Sequence, residues 1–140
     1  MNVNLSYVQI IKSRILDEIK QALKDFNLKP ALLGIEVTES GYLENTYHYK
    51  KLWSSLKEEG ITLVLDDYGT GYSNAYRLSN LTPHYIKIDR VLTQKALSSN
   101  YERSILIYII EMAHSLKLNV CIDVRHFLDL DGLACHIVVL

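Results

Sequence analysis

The chain has 140 residues, with 15 Lys and Arg against 16 Asp and Glu and a formal net charge of −1 at neutral pH. That length suits one domain, and the balanced charge leaves no electrostatic footprint for a nucleic-acid polymer or an anionic membrane. MNVNLSYVQ does not read as a secretory leader, and the longest apolar run, residues 105–110, is about a third of a bilayer span. Cys121 and Cys135 lack CxxC spacing, so reduced thiols and a cytoplasmic location are expected. Ten tyrosines against two phenylalanines fall in no spacing suited to stacking bases, and read as packing residues with wet hydroxyls.

In chain order, Val8, Ile11, Ile15, Ile19, Leu23 and Phe26 recur at helical spacing behind Ser6, a good N-cap. They predict one helix, closed by Asn27 and Pro30. Leu32 to Val37 read as a short buried strand. Tyr49, Leu52, Trp53 and Leu56 make the stripe of a second helix, ended by Gly60 before a strand at Ile61 to Leu65. A short helix is expected near Asn74 to Leu78. A strand at Tyr85 to Ile88, a helix from about Tyr101 to Leu116 and a strand at Asn119 to Ile122 follow. Repeated βα units with short connections predict an α/β fold with a parallel sheet.

With a first short strand ending at Asn4 after Val3, the residues that end the five strands are Asn4, Glu36, Asp66, Lys87 and Asp123, all polar. An open doubly wound sheet needs such residues only near its switch point, whereas every strand of a (β/α)8 barrel delivers its C-terminal end to one shared site. The pattern therefore predicts a TIM-type barrel, and a partial one, since about five strands are legible where eight close a barrel.

The densest chemistry lies in DDYGTGYS, residues 66–73. Asp66 and Asp67 read either as a turn cap or as oxygen ligands for a hard divalent cation. Alternation sends adjacent strand residues to opposite faces, so both reach one site only at a strand end. Gly69, Thr70 and Gly71 lack the third glycine of a dinucleotide fingerprint and the lysine of a Walker loop. Glu36 and Glu39 are three apart and need not share a face; one suits a ligand, the other a loop anchor, and a solvated strand end is the plainer reading. Lys87 and Asp89 share a strand face, either as a structural ion pair or with the lysine meeting an anion. The five histidines show no zinc spacing.

Together, NLS at 4–6, IEVTES at 35–40, DDYGTGYSNAYRL at 66–78 and PHYIKIDR at 83–90 closely resemble the EAL domain family of cyclic di-GMP phosphodiesterases, across residues 2–122. The resemblance implies a modified TIM barrel and hydrolysis of cyclic di-GMP to pGpG with two Mg²⁺ or Mn²⁺ ions. By position it implies Asn4, Glu36, Asp66, Asp67 and Asp123 as metal ligands, with Asp66 bridging and Asp67 on the second ion. Lys87 is implied to orient water and offset phosphate charge. Glu39 is implied to anchor the loop of Gly69, Thr70 and Gly71, a loop that also contributes to a homodimer.

Two departures matter. The resemblance implies a Glu-Ala-Leu segment upstream of Asn4, with a further metal ligand and an arginine for phosphate, which these residues do not include. Where the family has AEGVE, this chain reads Ile122, Asp123, Val124, Arg125, His126, so residues 1–123 are expected to be the partial domain and 124–140 a divergent tail. The 140-residue chain alone is expected to lack phosphodiesterase turnover. A degenerate module that binds cyclic di-GMP or a protein, and a gene remnant without function, are the competing readings.

Overall fold

A computed structural model describes residues 1–12, 14–38, 46–69, 78, 81–122 and 137–139. Its strands are β1 (Asn2–Asn4), β2 (Gly34–Thr38), β3 (Thr62–Tyr68), β4 (Tyr85–Ile88), β5 (Asn119–Ile122) and β6 (Ile137–Val139). Its helices are α1 (Tyr7–Lys12), α2 (Ile15–Asp25), α3 (Thr46–Glu58), α4 (Arg90–Ser98) and α5 (Asn100–Ser115). The six strands lie in one sheet in sequence order, and every neighbouring pair is parallel. A doubly wound sheet reverses its strand order at a switch point; this one never reverses, which is the order of a barrel wall.

Side chains alternate across the strands. Ile35, Val37, Leu63, Leu65, Ile86, Ile88, Val120 and Ile122 are all buried on one face, in a core shared with Leu23, Trp53, Leu56, Leu106 and Ile110 of the helices. Burying each such side chain contributes about 1.5–3 kcal/mol, so this face fixes the wall. The opposite face carries Asn2, Asn4, Glu36, Asp66 and Lys87.

The single helix expected over residues 8–26 is two helices, because Arg14 leaves helical geometry (φ −80°, ψ 44°). The break re-aims the apolar stripe: Ile10 is buried before it and Leu23 after it, Val8 and Phe26 are exposed, and both helices pack on α3. Ser6 caps α1 as expected: its backbone N–H donates to Gln9 Oε1 at 2.9 Å, and Gln9 N donates back to Ser6 Oγ at 3.4 Å. Asn27 closes α2 from a left-handed φ of 48°, with Leu28 N donating to Leu23 O at 2.9 Å. Leu32 belongs to a 3-10 turn, Pro30–Leu32, rather than to the strand that follows.

Helix α4 was not legible, and it reassigns Asp89. That carboxylate is an N-cap, accepting from Val91 N at 2.7 Å, so it serves a helix terminus and not Lys87. The tail expected to be foreign to the pattern supplies β6, which pairs with β5 through Val120↔Ile137 and adds a sixth strand to the five expected. The helix expected near Asn74 lies outside the described residues apart from Leu78, which is buried.

Candidate functional site

Glu36 sits in the middle of β2 at 4 % exposure, deep enough that its charge requires partners. It has two. Asn2 Nδ2 donates to Oε1 at 2.8 Å, and Lys87 Nζ donates to Oε2 at 3.1 Å. The same ammonium reaches Asp66 Oδ2 at 3.3 Å, so three strands deliver two carboxylates and one cation to a single point. Burial alone lowers the pKa of Lys87, but the hydrogen bond to Glu36 and the charges of Asp66 and Glu36 outweigh it and raise it. Lys87 is therefore held as a cation and not as a base.

The acidic pair is arranged by a β-bulge. Leu65 pairs with Ile86 and Tyr68 with Ile88, so three steps on β3 run against two on β4. Asp67 absorbs the extra residue in a left-handed conformation, φ 57°, and its N–H donates to Asp66 Oδ1 at 2.9 Å. The sequence reading placed the pair at a strand end; the strand in fact continues to Tyr68, which the bulge returns to the core. Both carboxylates thereby share one region, and partial burial together with the charges of Asp66 and Asp89 raises the pKa of Asp67. Gly69 follows at φ 108°, where a Cβ would stand 2.8 Å from Leu92 Cδ2, so both backbone and packing against α4 call for glycine.

Asn4 is the register partner of Glu36 and lies on the same face, exposed. Glu39, Thr70, Gly71 and Asp123 lie outside the described residues. Among the described residues, no three His, Cys, Asp or Glu side chains converge as a metal-binding group. The residue that sequence reasoning missed is Asn2. Its signal was its position two residues before Asn4, hence on the same strand face. A cavity of about 320 Å³ runs along this face, lined by Asn2, Gly34, Glu36, Val64, Lys87 and Cys121 among others.

The donor set suits a hard divalent ion on an observation internal to the site: Glu36 and Asp66 offer only oxygens and already converge on one cation, the Lys87 ammonium.

An unreversed parallel wall with carboxylates and a lysine on its polar face describes a TIM-type barrel site, and comparison with known proteins specifies it. The family model for the EAL domain matches residues 1–124, and the chain belongs to that family. It is 37 % identical over 118 residues to the signaling protein YkoW of Bacillus subtilis, covering 84 % of this chain and 15 % of that protein. It is 33 % identical over 118 residues to the cyclic di-GMP phosphodiesterase NbdA of Pseudomonas aeruginosa, again covering 84 % of this chain and 15 % of the relative. The chain thus spans a small part of the relatives it matches. Among solved structures it superposes on the PaMucR phosphodiesterase in complex with c-di-GMP with a TM-score of 0.80 and 29 % identity, over 87 % of this chain and 49 % of that one. The EAL enzyme Bd1971 in its cAMP- and cyclic-di-GMP-bound form gives a TM-score of 0.88 at 24 % identity, over 97 % of this chain and 37 % of that one. The fold is a partial EAL barrel, as expected.

Proposed function

We propose that this chain contributes the metal- and phosphate-binding wall of an EAL-type cyclic di-GMP phosphodiesterase, hydrolysing the cyclic dinucleotide to pGpG in bacterial signalling. The observation that carries this reading is the convergence of Glu36 and Asp66 on the Lys87 ammonium. Asn4, Glu36, Asp66, Asp67 and Asp123 would hold two divalent ions, Mg²⁺ or Mn²⁺. Such ions supply water activation at neutral pH and neutralise charge on the phosphoryl oxygens.

The chain's own residues then divide the remaining work. Lys87, a fixed cation, offsets the charge of the scissile phosphate and orients water through its N–H donors. Glu36, buried on one wall, holds that lysine in place through an ion pair of 3.1 Å. The Asp67 bulge and Gly69 set the start of the loop that Glu39, Thr70 and Gly71 would support, and this loop is the proposed homodimer contact. No described helix is long and apolar enough to cross a membrane. A nucleotide messenger fits a cytoplasmic setting, as does a buried cysteine, Cys121, without CxxC spacing.

The test is a graft. Residues 1–122 replace the matched stretch of the EAL domain of NbdA, and conversion of cyclic di-GMP to pGpG is followed in Mn²⁺. Turnover in the graft, lost in Asp66→Asn, is the expected result; a folded graft with no turnover overturns the reading.

A further inference from the structure

We infer that Asn2 is a positioning residue that orients the Glu36 carboxylate for a divalent cation, and that position 34 is glycine in order to admit it. This rests on the metal-binding reading above and goes beyond it.

The argument starts at the strand pair. Parallel pairing of β1 with β2 sets Asn2 beside Gly34 and Asn4 beside Glu36. The pairing is held by Gly34 N donating to Met1 O at 2.8 Å and Leu5 N donating to Glu36 O at 2.9 Å. To reach Glu36, the Asn2 side chain must cross diagonally over its own register partner. Only an absent side chain leaves room for that. A Cβ at position 34 would lie 2.4 Å from Asn2 Oδ1 and 3.2 Å from its Cγ. Gly34 is not among the residues with positive φ, so its backbone makes no demand for glycine. The demand comes from the asparagine lying across it.

What the asparagine achieves follows from donor chemistry. Glu36 accepts from Asn2 on one oxygen and from Lys87 on the other, which pins the carboxylate between a donor on the neighbouring β1 and one on β4, beyond β3. Each oxygen keeps a further lone pair. The amide is neutral, so it fixes the carboxylate without cancelling the charge a cation needs; lysine or arginine there would compete with the ion, and aspartate would repel the ligand. Asn2, Gly34, Glu36 and Lys87 all line the same cavity. Partners that orient a ligating carboxylate usually change metal affinity by about 10–100-fold when removed.

The test measures Mn²⁺ uptake by the full 140-residue chain, using calorimetry and electron paramagnetic resonance, in the parent, N2A, G34A, the double variant and E36Q. Circular dichroism and melting confirm that each variant is folded. N2A and G34A should each weaken Mn²⁺ binding about tenfold or more, and the double variant should be no weaker than either single, because both remove the same contact. E36Q should lose the ion. N2A with parental affinity while E36Q has lost it overturns the role of Asn2 and leaves the metal-binding reading intact. E36Q with parental affinity, or a parent chain that takes up no Mn²⁺, overturns both. A double variant about tenfold weaker than either single breaks the link between Gly34 and Asn2. If G34A does not fold, N2A against E36Q decides.

Discussion

The two faces of the same strands follow different rules. On β2, Ile35 and Val37 are buried against helices while Glu36 between them points to the cavity; on β4, Ile86 and Ile88 flank Lys87 in the same way. One face is held by close packing that acts from every direction, the other by a few directed hydrogen bonds. The packed face therefore fixes where the backbone lies, and the polar face inherits that precision. A lysine held at 3.1 and 3.3 Å from two carboxylates on different strands depends on strand spacing set elsewhere.

The largest effect that tests this division is a cavity in the packed face. Leu65 is 1 % exposed and immediately precedes Asp66. Leu65→Ala should cost about 2–5 kcal/mol of stability by lost transfer energy and an imperfectly filled void. If the packed face governs the site, Mn²⁺ affinity should fall as well, although no ligand has been touched. Denaturant unfolding and Mn²⁺ titration on one preparation check this; a large stability loss with unchanged affinity would mean that the polar face holds itself in place.

A smaller effect separates titratable groups of the scaffold from those of the site. His84 begins the run into β4: its N–H donates to Leu63 O at 2.9 Å and its Nδ1 accepts from Leu63 N at 3.0 Å. The accepting nitrogen must be unprotonated, and desolvation, followed by the charge of Lys57, lowers its pKa from the ordinary 6.5. The sign follows from proton binding. Below 6.5 the unfolded chain takes up a proton that the folded chain resists, so this contribution is complete above 6.5 and is lost as pH falls toward the depressed folded value. The loss should amount to about 1 kcal/mol, the worth of one such hydrogen bond. Melting temperatures at pH 8 and pH 5 should differ less in His84→Gln than in the parent, while Mn²⁺ affinity at pH 8 is retained. An equal pH dependence in the variant would remove His84 from the scaffold's account.

The same division explains what was legible in the sequence. Alternation made Glu36 and Lys87 readable, because a polar residue between buried neighbours must face the other side of its strand, and Asp66 stood out as the first charge after the apolar run of residues 63–65. Strand order was readable from the polar ends. What escaped depends on pairing or on single dihedral angles. Asn2 reaches Glu36 only through the β1–β2 register, which no local pattern encodes. The bulge at Asp67 lacks the glycine that usually marks a left-handed position, so the pair looked like a strand end. Asp89 looked like Lys87's partner because the nine-residue α4 that it caps carries too short a stripe to stand out. Strand β6 is three residues long and gains its meaning only beside β5.

Asp67 is where the two faces compete within one residue, and it gives the finest test. Its left-handed φ of 57° is disfavoured for any side chain, though least for aspartate and asparagine, while the carboxylate it carries adds to the negative charge around Asp66 and Glu36. Glycine would relieve the backbone but lose more conformational entropy on folding. Asp67→Gly should therefore stabilise the chain by no more than about 1 kcal/mol, read as a small rise in melting temperature, and should weaken Mn²⁺ binding. Asp67→Ala tolerates the left-handed angle worse than aspartate and removes the carboxylate, so it should lose affinity, and it should lose stability where the added backbone strain exceeds the relief of charge repulsion. Opposite stability changes with a shared loss of affinity would mean that the bulge is kept strained for its charge, the trade expected where a site is built at the expense of its scaffold. If glycine and alanine shift the melting temperature alike, the left-handed angle carries no cost, and Asp67 belongs to the polar face alone.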